Sequence, residues 1–280
     1  MGPGREFDLI RRMAARWGDG ARGGGDDAAV LDVPAGTRLV VSTDTSVERI
    51  HFRMDWLSLA EIGYRATVAA LSDLAAMAAD PLGMLVAATV TPAAVEGIEG
   101  LADGIGEAAR GATCPVVGGD LTHGDRLSLT ITVLGSAVSP VGRDGARAGD
   151  RLYVTGTLGG PGTALAALVR SAVPEPRYRE RFAHPVPRLA EGRWLAGRGA
   201  RAMIDISDGL CSELRHLAAA SGVAVRVDLD RIPCLEGLDA RVAAASGEEY
   251  ELLCAVPGEL DAEGFRLTFG VPVTPIGTVH

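Results

Sequence analysis

Two periods of apolar residues alternate along the first half of the chain. Short β-branched and apolar runs predict strands at 39–42, 84–91, 115–117 and 127–134. Apolar residues at helical spacing predict helices over 58–79 and 94–111. Strand and helix therefore alternate in this half.

The second half begins after a segment, 139–150, that is rich in Gly, Arg and Asp and lacks an apolar period. We expect the domain boundary here, giving domains over 1–138 and 139–280. Beyond it the pattern predicts strands at 151–155, 202–206, 223–227, 250–256 and 273–279. It also predicts helices at 163–171, 188–197 and 210–220, with a Pro-rich loop over 173–187. This alternation predicts a two-domain α/β (α+β) protein.

The amino-acid composition excludes several classes of enzyme. The 280 residues carry a net charge of −9, and all 27 basic residues are Arg, because the chain contains no Lys, Asn or Gln. A Walker-A loop needs a Lys, a protein-kinase site needs a Lys and an Asn, and Schiff-base enzymes need an amine. The sequence excludes all three classes.

Charge and hydropathy also bear on location and partners. The acidic balance argues against a nucleic-acid partner, and the longest apolar runs are too short to span a bilayer. The start of the chain, MGPGREFDLI, lacks the apolar core of a signal peptide. Four widely spaced cysteines are expected to be buried free thiols. We therefore expect a cytoplasmic protein with neither membrane nor nucleic-acid partners.

Aspartates recur where predicted strands end. Asp44 and Asp120 follow strands of the first half. In the second half Asp205 lies near the end of a strand and Asp208 follows it, and Asp73 interrupts an apolar helix. A buried carboxylate is costly unless it is paired or bound to a metal. Together these residues favour a Mg²⁺ site, since Mg²⁺ prefers oxygen ligands that link a protein to phosphates.

Each aspartate also has a purely structural interpretation. Asp73 could pair with an arginine, Asp208 could cap the following helix, and Asp27 and Asp44 could be turn residues.

Three further features are ambiguous in the same way. The glycine-rich segment 156–162 could cradle an anion with its backbone N–H groups. Arg143 could clamp a phosphate or be a solvated loop charge, and His51 could face the site or the solvent.

Seven segments, taken as a set, resemble the thiamine-monophosphate kinase family, within the superfamily of aminoimidazole ribonucleotide synthetase and selenophosphate synthetase. They run in order over nearly the whole chain: GDDAAV (25–30), STDTSVERIHF (42–52), LSDLAAMAADP (71–81), VVGGDLT (116–122), GDRLYVTGTLG (149–159), IDISDGL (204–210) and GEEYELL (247–253).

The resemblance implies a PurM-like fold, with a mixed N-terminal sheet that forms a dimer barrel and a C-terminal α/β domain. It implies several Mg²⁺ ions, ATP as co-substrate, thiamine monophosphate as acceptor and a homodimer. The implied metal ligands are Asp27, Ser42, Thr43, Asp44, Asp73, Asp120, Asp205 and Asp208, of which Asp44, Asp73 and Asp208 would be catalytic. The implied nucleotide contacts are Gly119, Asp120, Arg143 and Ser207. The implied acceptor contacts are His51 and Glu248.

The sequence departs from the family pattern in places. The family usually reads G-G-E-D-Y-E where this chain has SGEEYE (246–251), and usually has Gly where Ala78 stands. Family members also continue past the position of His280 with a segment that carries an aromatic residue for the thiamine ring. Two alternatives therefore stay open: a relative that phosphorylates or ATP-activates a different small-molecule acceptor, and a non-catalytic nucleotide-binding protein.

Overall fold

A computed structural model describes residues 5–21 and 28–280, with side chains from residue 8 onward. Its strands are β1 (Arg38–Val47), β2 (Asp80–Val90), β3 (Val116–His123), β4 (Ser128–Ala137), β5 (Arg151–Thr155), β6 (Ala202–Asp205), β7 (Val225–Val227), β8 (Leu252–Val256) and β9 (Val273–Val279). Its helices are α1 (Arg5–Trp17), α2 (Leu59–Ala76), α3 (Pro92–Glu96), α4 (Ile98–Gly111), α5 (Gly160–Val169), α6 (Pro176–Ala183), α7 (Leu189–Gly197), α8 (Leu210–Ser221), α9 (Ala240–Ala244) and α10 (Ala262–Phe269).

The predicted mixture of strands and helices is confirmed, with two kinds of error. The single helix expected over 94–111 is two helices, α3 and α4, separated at Gly97. Four helices were not predicted at all, and one of them, α6, lies in the expected Pro-rich loop. Its sequence, PRYRERFA, buries only three side chains, so it carries little apolar signal.

The structure divides into two compact units. Unit 1 contains Met1–Leu74 and Asp80–Val138, and unit 2 contains Ala75–Ala79 and Ser139–His280. Within the described residues, no helix combines the length and hydropathy needed to cross a membrane.

The sheet of unit 1 has the strand order β1-β4-β2-β3. It is mixed, because β2 and β3 are parallel while the other pairs are antiparallel. Leu129, Ile131 and Val133 of β4 are fully buried on one face. Ser42 of β1 lies on that face and its Oγ bonds Asp73 in α2, so α2 packs on this side.

The opposite side is solvent-exposed and is called the open face, defined by Leu39, Val41, Thr43, Thr45 and Leu85. The two threonines of β1 pair across the strands with Thr132 and Thr130, at 2.9 Å between hydroxyl oxygens in each pair. Leu39 and Val41 remain 50% and 55% exposed. An apolar and threonine-rich sheet face left in water is typical of an association surface.

Unit 2 is built on an antiparallel sheet with the order β6-β8-β5-β9-β7. Its central strand β5 has four buried residues out of five. The core residues on this sheet include Leu152, Val154, Ile204 and Leu253, joined by Leu210, Leu214 and Leu217 of α8. The sheet thus supports the end of β6 and the β6–α8 connection, which together hold three of the candidate site residues.

The end of α2 belongs to unit 2. The Val141 N–H donates to the Met77 carbonyl at 3.2 Å. A Cβ on Gly192 of α7 would lie 2.2 Å from the Ala75 carbonyl oxygen, so this contact requires glycine. Ala78 then turns the chain with φ 54°, a left-handed conformation that residues with a Cβ rarely adopt.

The expectation of four buried thiols is wrong for two of the cysteines. All four are free, but only Cys114 and Cys254 are buried, whereas Cys234 is half-buried and Cys211 is exposed. Burial raises the pKa of the Cys114 and Cys254 thiols to about 12. Those two thiols are therefore unreactive packing residues.

Candidate active site

Two candidate carboxylates of unit 1, Asp44 and Asp73, lie on the side of the sheet where β1 faces α2. Asp44 lies inside β1, paired with Ile131, so the turn interpretation and the strand-end placement are both wrong for it. Ser42, two residues earlier, shares its face. The Ser42 Oγ donates a hydrogen bond to Asp73 Oδ2 at 2.5 Å. Two carboxylates and a hydroxyl separated in sequence therefore lie on one side of the sheet.

Asp73 lies in an apolar stretch of α2. It is half-buried, and its neighbours Leu71 and Leu74 are fully buried. Removing a carboxylate from water in this way carries a desolvation cost that its contacts, among them the Ser42 hydroxyl, have to offset. An oxygen-seeking cation bound here would compensate that charge further.

Two other candidate ligands of unit 1 lie on the opposite side of the sheet. Thr43 points to the open face, where it bonds Thr132. Asp120 pairs in register with Ala87 and hence also lies on the open face. It is inside β3, not beyond the strand end as expected. The sheet therefore separates these side chains from Ser42, Asp44 and Asp73.

Gly119 adjoins Asp120 and is in close backbone contact with β2. A Cβ at this position would lie 1.9 Å from the Val86 carbonyl oxygen. Only glycine allows β3 to approach β2 so closely. The packing of the two strands therefore requires a glycine at position 119, in addition to the nucleotide contact expected for it.

His51 lies in the loop between β1 and α2. It is exposed, and its Nδ1 accepts a hydrogen bond from the Val47 N–H at 3.1 Å. In the neutral ring the proton is thus on Nε2, which can donate to a ligand. The same loop lines a cavity of about 540 Å³ with Glu48, Arg49, Arg53, Met54 and Asp55.

In unit 2 the candidate residues follow β6. Asp205 is the last residue of the strand and is buried, Ser207 is half-buried and Asp208 is exposed. The capping interpretation of Asp208 is wrong, because Gly209 is the N-cap of α8, with φ 97° and no side-chain capping bond. The Asp208 side chain is therefore not committed to the helix terminus.

Glu213 of α8 holds the backbone of this turn through a hydrogen bond. Its Oε1 accepts a hydrogen bond from the Asp208 N–H at 3.1 Å. Burial raises the pKa of Glu213, and the hydrogen bond from Asp208 opposes that shift. Sequence reasoning missed this residue because its distance of five positions from Asp208 matches no helical capping pattern.

Glu248 lies in a strained segment beside the same turn. It has φ 59° and Tyr250 has φ 52°, both left-handed. The Glu248 N–H donates to the Ser207 carbonyl at 2.6 Å, and the Tyr250 N–H donates to the Ile206 carbonyl at 2.9 Å. The structure therefore joins the expected acceptor residue Glu248 to the expected nucleotide residue Ser207.

Arg143 is an exposed residue of the 139–150 segment. Its carbonyl accepts a hydrogen bond from the Ser221 hydroxyl at 3.0 Å, which fixes the backbone at the end of α8. The guanidinium is accessible to a ligand in water, as a phosphate contact requires.

The glycine-rich segment 156–162 does not present an open anion cradle, so that interpretation is wrong. The Gly159 N–H donates to Glu249 Oε1 at 2.6 Å, and the Gly162 N–H donates to Ser246 Oγ at 2.9 Å. The Gly156 and Leu158 N–H groups donate to the carbonyls of Pro272 and Pro233. A carboxylate of the protein itself occupies the place that an external anion would take.

The donor atoms of the candidate metal ligands are all oxygens, which fits Mg²⁺. Within 5–21 and 28–280, however, no three acidic, His or Cys side chains are already gathered around one point. An ion bound here would complete its shell with water and phosphate oxygens, as Mg²⁺ usually does. Asp27 lies outside the described residues.

Comparison with known proteins gives consistent results. The AIR synthase related protein family matches with its N-terminal domain over residues 25–137 and its C-terminal domain over 147–280. The thiamine-monophosphate kinase of Salmonella typhimurium is 37% identical, over 98% of this chain and 87% of that protein.

Solved structures agree. The crystal structure of thiamine-monophosphate kinase from Stenotrophomonas maltophilia superposes with a TM-score of 0.87 at 35% identity, covering 98% of this chain and 93% of that one. AaThiL complexed with AMPPCP and TMP gives a TM-score of 0.79 at 26% identity, with 98% and 89% covered.

Proposed function

Because this chain belongs to the thiamine-monophosphate kinase family of AIR synthase related proteins, we propose that it transfers the γ-phosphate of ATP to thiamine monophosphate. The product is thiamine diphosphate. The observation that carries the proposal furthest is the convergence of Ser42, Asp44 and Asp73 on one face of unit 1.

The chemistry explains why these side chains are needed. The acceptor is itself a phosphate and is already nucleophilic, so in-line transfer needs no strong base. The obstacle is the repulsion between two polyanions. Mg²⁺, when bound, screens that charge and aligns the reacting groups. A chain without Lys has to hold the phosphates with such ions, with arginine and with backbone N–H groups.

The proposed metal-binding, nucleotide-binding and acceptor-binding roles are divided between the two units. In unit 1, Asp44 and Asp73 would hold Mg²⁺ with Ser42, together with Asp27. Thr43 and Asp120 lie on the open face, so any ion that they bind would be a separate one. Gly119 and Asp120 would also contact the nucleotide. In unit 2, Asp205 and Asp208 would bind Mg²⁺, while Arg143 and Ser207 would contact ATP. His51 and Glu248 would contact the acceptor. A cytoplasmic location fits a reaction that consumes ATP.

A coupled assay tests the activity directly. Purified protein with ATP, Mg²⁺ and thiamine monophosphate is expected to form ADP and thiamine diphosphate in equal amounts, quantified by chromatography. A panel of other phosphorylated small molecules serves as the comparison. If ADP forms only with another acceptor, that compound is the substrate in place of thiamine monophosphate. If no acceptor increases the formation of ADP, the kinase assignment is refuted.

We further propose that two copies associate through the open face of the unit 1 sheet. The support is its apolar and threonine surface, on which Val41 is 55% exposed. A Val41→Glu variant is expected to shift the protein from dimer to monomer in light scattering, because it buries a charge in the interface. Val169→Glu, at a 65% exposed position of unit 2, is the matched control and should stay dimeric. A monomeric wild type, or a dimeric Val41→Glu variant, would contradict this interface.

A further inference from the structure

A buried cluster of charges in unit 2 contains two arginines and three glutamates. Arg188 makes two hydrogen bonds to Glu251, at 2.8 Å and 2.6 Å, and one to Glu191 at 3.2 Å. Arg181 lies 3.2 Å from Glu251 and 3.3 Å from Glu249. Glu249 is thus a further carboxylate of the cluster, and it shares Arg181 with Glu251.

Glu249 is nonetheless fully buried. Burial raises the pKa of Glu249 to about 7, against the hydrogen bonds from Ser246 and Gly159 that lower it. A carboxylate that is costly to bury needs contacts that compensate the cost, and those of Glu249 include hydrogen bonds from Gly159 and Ser246.

One oxygen of Glu249 joins two segments that are far apart in the sequence. Its Oε1 accepts hydrogen bonds from the Gly159 N–H at 2.6 Å and from the Ser246 hydroxyl at 2.5 Å. The Ser246 Oγ in turn accepts from the Gly162 N–H at 2.9 Å. The side chain therefore ties the glycine segment 156–162 to the strained segment 246–250.

That strained segment contacts the candidate site directly. A Cβ on Gly247 would lie 2.8 Å from the Ser207 carbonyl oxygen. The Glu248 and Glu249 N–H groups donate to the carbonyls of Ser207 and Ile206. Left-handed conformations at Glu248 and Tyr250 cost free energy, and they persist only where surrounding contacts hold them.

We propose that Glu249 is a positioning residue, whose carboxylate anchors the 246–250 segment on the glycine segment and thereby fixes Glu248 for the phosphate acceptor. The proposal rests on the proposed kinase function for its acceptor. Glu249 itself takes no part in phosphoryl transfer. Its role is to accept the two hydrogen bonds, which an uncharged oxygen can also do.

Kinetics of four variants separate this positioning role from a general structural role. Glu249→Ala removes the acceptor atom and is expected to raise KM for thiamine monophosphate roughly tenfold or more, with a smaller effect on KM for ATP. Glu249→Gln keeps an acceptor oxygen and should stay within about threefold of wild type. Glu191→Ala removes another buried carboxylate of the same cluster and should leave the acceptor KM unchanged. Ser246→Ala is a milder variant that removes one of the two hydrogen bonds.

Hydrogen exchange in the ligand-free protein gives a readout independent of activity. In Glu249→Ala the amides of Gly159 and of 246–250 should lose protection, whereas in Glu191→Ala they should keep it. If Glu249→Ala does not fold, Ser246→Ala carries both measurements.

The outcomes are distinguishable. Equal rises in acceptor KM for Glu249→Ala and Glu191→Ala would show a general structural role and overturn the proposal. A Gln variant as impaired as the Ala variant would show that the charge is required, which also overturns it. If the wild type does not phosphorylate thiamine monophosphate, the proposed function fails, and hydrogen exchange alone then decides whether Glu249 positions the segment.

Discussion

An Asp73→Asn variant is expected to lose kinase turnover by about 100-fold or more while unit 1 remains folded. Asparagine keeps the size of the side chain and can keep the hydrogen bond from Ser42, so the packing of α2 on β1 should survive. It loses the negative charge that would hold Mg²⁺. Since the variant no longer buries a charge in an apolar helix, its thermal midpoint should equal or exceed that of the wild type without metal.

The measurements are steady-state turnover over a range of Mg²⁺ concentrations and thermal unfolding with and without Mg²⁺. Asp103→Asn is the matched control, because Asp103 is a carboxylate of unit 1 paired with Arg16 on α1, away from the β1–α2 face. It should keep its turnover. A grossly unfolded Asp73→Asn protein would instead identify Asp73 as the partner of a structural ion pair.

An Arg188→Met variant is expected to destabilise unit 2 by about 3–5 kcal/mol. The Arg188 side chain is 7% exposed and the Glu251 side chain 1%. Burial acts to lower the pKa of Arg188, but the charges and hydrogen bonds of Glu251 and then Glu191 outweigh it and leave the pKa raised. Methionine fills similar space but takes the Arg188 cation away from two buried carboxylates, Glu191 and Glu251. That loss is a large fraction of the ~5–15 kcal/mol that stabilises an ordinary protein.

Urea unfolding followed by the fluorescence of Trp194, which belongs to unit 2, measures the effect. Arg151→Met is the control, because the Arg151–Glu259 pair is exposed and should contribute less than ~1 kcal/mol. Equal stability of the two methionine variants would mean that the cluster does not hold unit 2 together.

The strands were predicted well where apolar runs are bounded by turn residues. The bounds of β5 and β9 match the sequence prediction, because both runs are flanked by glycine or proline. Helices with few buried side chains were missed, since α6 gains its stability from neighbours that its own sequence does not reveal.

The candidate site was predicted as a set of residues, not as an arrangement. The motifs identify Asp44, Asp73 and Asp208, but only strand register shows that Thr43 and Asp120 lie on the opposite face from Asp44. The glycine segment looked like an anion cradle because its partner, Glu249, lies ninety positions away from Gly159. No local pattern reveals such a contact.

The last turn of α2 has a consequence for how the protein is made. Ala75–Ala79 leaves the ribosome early, yet it completes unit 2, whose remaining residues begin at Ser139. Its contacts with Val141 and Gly192 can form only after those residues have been synthesised. A C-terminal fragment that begins at the predicted domain boundary would therefore lack the contacts that Ala75–Ala79 makes in unit 2.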